Sequence, residues 1–219
     1  NKNNIVVVPL RVRYPQGAEK QLIYAITGRE VSTGKLPMDV GCVVQNVGTA
    51  AAVMDAVVDL IPLIERVTTV TGGTVCNPSN WKFRIGTPLY KVLEFAGGIN
   101  MQPAKILLGG PMMGMAQSSL DVPIMKNTSG VLLLAKEEIA QYSSHPCIRC
   151  GRCADVCPML LMAGTLSLMI ESENFDLAEY TNVMDCIECG SCAYVCPALR
   201  PLVQHLRRGK AEVIASKKR

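Results

Sequence analysis

No charge-free apolar stretch in these 219 residues approaches the roughly 20 needed to span a bilayer, so a soluble or peripheral protein is expected. Histidine is scarce: only His145 and His205 occur, and both read as surface residues, with His205 on a helix after Pro201. No Ser/His/Asp set, paired carboxylate site or HExxH motif is present, which leaves hydrolytic chemistry without support. The run Gly109-Gly110-Pro111-Met112-Met113-Gly114 lacks the Lys-Ser/Thr of a P-loop and does not fit GxGxxG, so it reads as a tight turn. A signal-peptide pattern is also missing, which favours a reducing compartment over a disulfide scaffold. Dense basic charge is confined to Lys217-Lys218-Arg219, beyond Arg207-Arg208 and Lys210, and reads as a solvated tail. With a net charge of only +4, nucleic acid is not an expected partner.

What the chain has is cysteine in a strict pattern. Eight of the ten cysteines form two copies of one spacing: Cys147, Cys150, Cys153, Cys157 before Pro158, and Cys186, Cys189, Cys192, Cys196 before Pro197. In a C-x₂-C-x₂-C-x₃-C-P run the first three thiolates hold one cubane and the fourth completes the cluster of the partner run. Cys147, Cys150, Cys153 and Cys196 would therefore hold one [4Fe–4S] cluster, and Cys186, Cys189, Cys192 and Cys157 the other. Two Cys₄ zinc sites are the structural alternative, although structural zinc usually takes two CxxC pairs across a longer spacer. Each oxidised cubane with its thiolates carries a charge of about −2, which would bring the loaded protein near neutrality. Cys42, in an apolar run, and Cys76, before Asn77-Pro78, read as buried or incidental thiols.

The periodicity predicts an α+β, multidomain chain. A first segment, 1–65, opens with a strand at Ile5 to Val8. With no initiator Met or capping sequence before it, the chain is expected to be a piece of a longer protein. A helix follows over Glu19 to Thr27, ended by Gly28, then a strand over Val40 to Gln45 and an Ala- and Val-rich helix over Thr49 to Leu60, buried on most sides. This order suggests part of an α/β layer. Residues 66–135 alternate as a β-rich module: a hairpin-like pair around Gly72-Gly73, a helix from Thr87 (N-cap) and Pro88 (N1) to Ala96, and strands at Lys105 to Leu108, Val122 to Met125 and Val131 to Leu134. Residues 136–219 carry the cysteine runs. The 28 residues between the runs are expected to be helical, and the proline after each fourth cysteine is expected to open a helix at N1. Met112, Met113, Met115, Met159, Met162 and Met169 read as adaptable packing.

A family resemblance covers nearly the whole chain. Arg13-Tyr14-Pro15-Gln16-Gly17-Ala18-Glu19-Lys20-Gln21-Leu22, Gly28-Arg29-Glu30-Val31 and Val44-Gln45-Asn46-Val47-Gly48-Thr49-Ala50 resemble the RnfC family, which belongs to the Rnf/Rsx electron transport complex, a ferredoxin:NAD⁺ oxidoreductase. Cys186-Ile187-Glu188-Cys189-Gly190 and Ala193-Tyr194-Val195-Cys196-Pro197 fit the same family. The middle part is similar to a soluble-ligand-binding β-grasp (SLBB) module through Val70-Thr71-Gly72, Asn77-Pro78, Gly86-Thr87-Pro88-Leu89 and Ala96-Gly97-Gly98. The first segment is similar to the end of the flavin- and NADH-binding α/β domain of the related complex I subunit. There an Asn-Val turn approaches the flavin, which makes Asn46 and Thr49 candidates for flavin contact.

The resemblance implies an electron-transfer subunit that is peripheral, on the cytoplasmic side of the membrane, and partnered by other subunits of a membrane complex. FMN and NAD(H) are implied only for a longer protein, because the family's glycine-rich loops are not among these residues. This chain alone is expected to be inactive with NADH. Flavin can release singly the two electrons of a hydride, and clusters carry one each. The rival readings are a soluble flavin-linked reductase such as a microcompartment cobalamin reductase, and a noncatalytic zinc-stabilised interaction module.

Overall fold

The computed structural model describes residues 4–139, 142 and 145–218. In chain order its helices and strands are α1 (Glu19–Thr27), α2 (Val47–Val58), β1 (Glu65–Thr71), β2 (Ser79–Arg84), α3 (Leu89–Phe95), β3 (Lys105–Leu108), β4 (Met115–Gln117) and β5 (Gly130–Leu134), then α4 (Arg152–Asp155), α5 (Ala163–Glu171), α6 (Phe175–Tyr180), α7 (Ser191–Tyr194) and α8 (Leu202–Ser216). The fold class is α+β. The chain divides into two compact units: one joins the residues up to Asn46 with those from 145 onward, and the other runs from Val47 to Tyr142.

The second unit is built on a five-stranded mixed sheet in the order β2-β1-β5-β3-β4. β1 and β2 pair antiparallel from Glu65↔Arg84 to Val70↔Ser79, and β1 runs parallel to β5 from Thr69↔Gly130. Alternation turns Thr68 and Val70 inward and leaves Val67 exposed. α3 closes this face through Leu89, Val92 and Leu93, packed with Val70, Phe83, Ile124, Val131 and Leu133. Gly72, at φ 123°, follows β1 where a Cβ would collide with the Leu133 carbonyl oxygen, so only glycine fits.

Pro88 stands at the N-cap of α3 rather than N1, and the Thr87 hydroxyl donates back to Arg84 O instead of capping the helix. Residues 122–125 form no strand: Ile124 exchanges backbone bonds with Gly86 and Thr87 beside a single Pro88↔Pro123 bridge. The strand not expected is β4, which pairs antiparallel with β3 at the opposite edge of the sheet, in a stretch too short to show alternation. α2 forms as expected but buries none of its residues, and Val53, Met54, Val57 and Val58 are all exposed.

In the first unit α1 ends as predicted at Gly28, at φ 68°, whose N–H returns to Tyr24 O. Ile5 to Val8 is not a strand but exposed coil, and in the expected strand Val40 to Gln45, Val40 closes a 3₁₀ turn (Pro37–Val40) and the residues after it run on without pairing. β-branched runs report fitness for a pleated surface, and no described strand offers these two runs a partner. The remaining core is helical: Leu166 and Ile170 of α5, Ala178 of α6 and Leu202, Leu206 and Val213 of α8 pack around Val183. Helices do fill the interval between the cysteine runs, as α5 and α6. The prolines are corrected, because Pro158 and Pro197 each begin a turn, and the following helix starts five residues later. Lys217 pairs with Glu179, so the C-terminal basic run is not wholly a free tail; its last residue, Arg219, lies outside the described residues.

Candidate metal centre

The two cysteine runs repeat in space as they do in sequence, with an offset of 39 residues. Arg149 and Glu188 have φ of 55° and 56°, Gly151 and Gly190 of 79° and 85°, and Leu160 and Leu199 of 55° and 49°. In each copy the chain turns through a left-handed residue between the first two cysteines and passes Gly into a four-residue helix, α4 or α7. It then turns again after the fourth cysteine. Left-handed backbone at non-glycine residues is uncommon, and its recurrence at matched positions marks a loop shaped to point thiols inward.

Those loops form two recesses, each enclosing about 350 Å³ including its open mouth. Cys147, Cys150, Cys153 and Cys196 line one; Cys186, Cys189, Cys192 and Cys157 line the other. Most wall positions correspond under the 39-residue offset, with Gly164 facing one recess where Val203 faces the other, and Arg200 where Leu161 stands; Arg152 lines only the first recess, and Glu188 and Leu206 only the second. Each recess thus takes three thiols from one run and one from the other. Among the described residues no three His, Cys, Asp or Glu side chains converge closely enough to grip a single ion.

The electrostatics fit a group that brings positive charge. Burial and the neighbouring Cys186 and Cys189 push the Cys192 thiol up to about 12. Burial also raises Cys153, opposed by the Gly164 N–H, and Cys186, opposed by the Glu188 N–H and by Lys210. Four thiolates gathered in a half-buried recess are unfavourable until cationic metal sits among them, and loading it displaces their protons. Gly164 is a second mark of fit: a Cβ there would lie 3.1 Å from Cys153 Sγ and 3.8 Å from Cys147 Sγ. The third is Arg200, almost wholly buried on the wall of the Cys147 recess, whose Nε has no hydrogen-bond partner among the described residues.

Comparison with known proteins agrees with this geometry. Residues 1–55 match the Nuo51 FMN-binding domain, 67–116 the SLBB domain and 139–197 the 4Fe-4S dicluster domain. The chain is 54% identical over 209 residues to the RnfC subunit of the proton-translocating ferredoxin:NAD(+) oxidoreductase complex of Clostridium ljungdahlii, covering 95% of this chain and 46% of that protein. The chain is homologous to RnfC. It is also 47% identical over its full length to the RnfC subunit of the Na(+)-translocating ferredoxin:NAD(+) oxidoreductase complex of Acetobacterium woodii, of which it covers 49%. Against the RnfC subunit of the ion-translocating oxidoreductase complex of Pseudomonas aeruginosa the identity is 47% over 208 residues, 94% of this chain and 27% of that protein. The chain therefore spans about half the length, or less, of the RnfC relatives it matches.

Asn46 directly precedes α2 and Thr49 lies in its first turn, Asn46 exposed and Thr49 half-buried. Cys42 is half-buried and Cys76 exposed, and neither lines a recess with the eight cysteines of the two runs. His145 is exposed, but His205 is half-buried on α8 with Nδ1 2.7 Å from Ser167 Oγ. Met159 lines the Cys186 recess and accepts from Gln21 Nε2 at 3.2 Å, a place more specific than core packing. Sequence reasoning missed Arg200 and Gly164. Aligning the two runs at 39 residues and asking where the flanks differ would have singled out both.

Proposed function

We propose that the chain holds two [4Fe–4S] clusters, one on Cys147, Cys150, Cys153 and Cys196 and one on Cys186, Cys189, Cys192 and Cys157. In this reading it relays electrons, as part of a longer RnfC protein, between a flavin/NAD(H) site and the membrane portion of a ferredoxin:NAD⁺ oxidoreductase complex. The observation that carries the reading is the sorting of eight thiols, three plus one from opposite runs, into two matched recesses. A bound cubane takes up and gives back one electron at a time, the step a flavin needs after accepting a hydride.

The chain's own residues do the positioning. The left-handed turns aim the thiols, α5 and α8 wall the recesses with apolar side chains, and Gly164 leaves room for close approach. Lys210 donates to Cys186 O at 3.0 Å and to Glu188 Oε1 at 2.7 Å, bracing the second loop. Tyr14 and Gln21, in the part that matches a flavin-binding domain, hydrogen-bond to Cys189 O and Pro158 O on the wall of the Cys186 recess. This supports assigning the Cys186 cluster to the flavin side.

We keep the organisation 1–65, 66–135 and 136–219 as flavin-domain end, SLBB module and dicluster domain, with Asn46 and Thr49 near the flavin. The location proposed is peripheral, on the cytoplasmic side. No helix among the described residues is long and apolar enough to cross a membrane.

The test is anaerobic mixing of NADH with the full-length, reconstituted parent protein. Flavin bleaching followed by bleaching of the iron–sulfur absorption is expected, with Cys186→Ala blocking the second phase. Reduced flavin beside permanently oxidised clusters would overturn the relay.

A further inference from the structure

The two recesses are near copies, so a difference between them carries information. At the position that is Leu161 in the Cys186 recess, the Cys147 recess has Arg200, only 3% exposed. Its Nη1 donates to His145 O at 2.8 Å, and its Nη2 donates to Ser167 Oγ at 3.2 Å and to the Glu171 carboxylate. These acceptors occupy the outer nitrogens and fix the plane of the guanidinium. Nε is left buried with no partner among the described residues. A buried donor so placed carries its full desolvation cost unless an acceptor completes it. The recess itself offers sulfur: cysteine thiolates and, when a cluster is bound, its sulfides.

Resting on the two-cluster reading above, we propose that Arg200 Nε–H donates a hydrogen bond to a sulfur of the cluster held by Cys147, Cys150, Cys153 and Cys196. This bond raises that cluster's reduction potential. A hydrogen bond to sulfur stabilises the more negative, reduced state more than the oxidised one, and such bonds are among the levers that set cluster potentials. The Glu171 partner neutralises much of the long-range charge of Arg200, which leaves the short-range bond as the main effect. Leu161 can donate nothing at the matched point. Lys210, whose charge reaches Cys186, directs two of its three N–H donors to Cys186 O and the Glu188 carboxylate, both oxygens. Arg200 is thus a tuning residue of the Cys147 recess, with no hydrogen-bonding side chain at the matched point of the other.

The experiment is an EPR-monitored redox titration of the reconstituted chain, wild type against Arg200→Lys, which keeps a cation opposite Glu171 but removes the secondary N–H. One of the two midpoints should fall by about 59 mV, a tenfold shift of a one-electron couple toward the oxidised form, while the other stays in place. Pulsed EPR on reduced wild-type chain labelled with ¹⁵N at arginine Nε tests the contact without substitution. Coupling to one arginine nitrogen should persist in Arg152→Lys, since Arg152 also lines this recess. Two unmoved midpoints, or no arginine coupling at all, would overturn the assignment while leaving the clusters standing. A wild-type chain that takes up no iron and sulfide would overturn the two-cluster reading and this inference together.

Discussion

Tyr14 donates a 2.6 Å hydrogen bond to the carbonyl oxygen of Cys189, joining residues 175 positions apart. Gln21 Nε2 to Pro158 O at 3.0 Å and Thr33 Oγ1 to Asp185 Oδ1 at 2.6 Å lie along the same seam. The segment that matches a flavin-binding domain is therefore fastened to the backbone of the loops that present Cys157 and Cys189. Apolar burial adds to these polar bonds through Pro15, Ile23 and Val31, the last two at 3% and 8% exposure.

Tyr14→Phe removes one of those bonds, at a cost of about 0.5–1.5 kcal/mol. Hydrogen exchange over Ala18 to Thr27 should quicken by several-fold with iron content unchanged. Exchange rates equal to wild type would show that the segment is held by something else.

Gly164 and Val203 are counterparts that face different recesses. Gly164→Val places branched carbons where even a Cβ meets Cys153 Sγ at 3.1 Å, and a thiolate fixed to a cluster cannot retreat. The variant should bind about four irons instead of about eight, losing the Cys147-side signal, whereas Val203→Gly should keep both. Full iron loading of Gly164→Val would contradict the close fit.

Within α8, Gly209 packs so tightly that a Cβ would lie 2.5 Å from Ile170 Cδ1 and 2.8 Å from its Cγ1. Alanine should gain about 1 kcal/mol of helix propensity and lose about 1–3 kcal/mol to overpacking, because Ile170 is fully buried. The net is destabilisation by about 1 kcal/mol, read from a denaturant midpoint. Ile170→Val removes Cδ1, so the double variant should cost less than the sum of the singles. Strict additivity would rule out the clash.

Burial pushes the His205 pKa below its ordinary value; Glu171 opposes this, while Arg200 and Arg208 add to it. Ser167 Oγ accepts from Arg200, which leaves its proton for the His205 Nδ1 lone pair and favours neutral imidazole. With the folded pKa depressed, the contribution to stability is full above the unfolded value of about 6.5 and is lost as pH falls through the folded one. The stability difference between wild type and His205→Gln should therefore be larger at pH 7.5 than at pH 5. A pH-independent difference would remove His205 from the network.

Much of this was legible in sequence because thiol spacing is a covalent constraint. Cys147 to Cys157 and Cys186 to Cys196 could be sorted into two sets before any fold was known, and the structure brings those same sets together. Local chemistry likewise marked α1 through Gly28 and the β1/β2 pair through alternation. Ile5 to Val8 and Val40 to Gln45 misled because a strand needs a neighbour, which no local pattern supplies. The prolines misled because a left-handed residue, Leu160 or Leu199, interposes a turn before the helix. Arg200 and Gly164 gave no signal alone, since their roles depend on which recess they face.

The central claim is that each run completes the other's cluster, and the most direct measurement is EPR of dithionite-reduced, anaerobically reconstituted Cys157→Ala, with iron, sulfide and zinc counted per chain. Its spectrum should match that of Cys186→Ala and differ from that of Cys147→Ala, beside a wild type with about eight iron and eight sulfide. A Cys157→Ala spectrum matching Cys147→Ala, or a wild type with two zinc and no sulfide, would contradict the account.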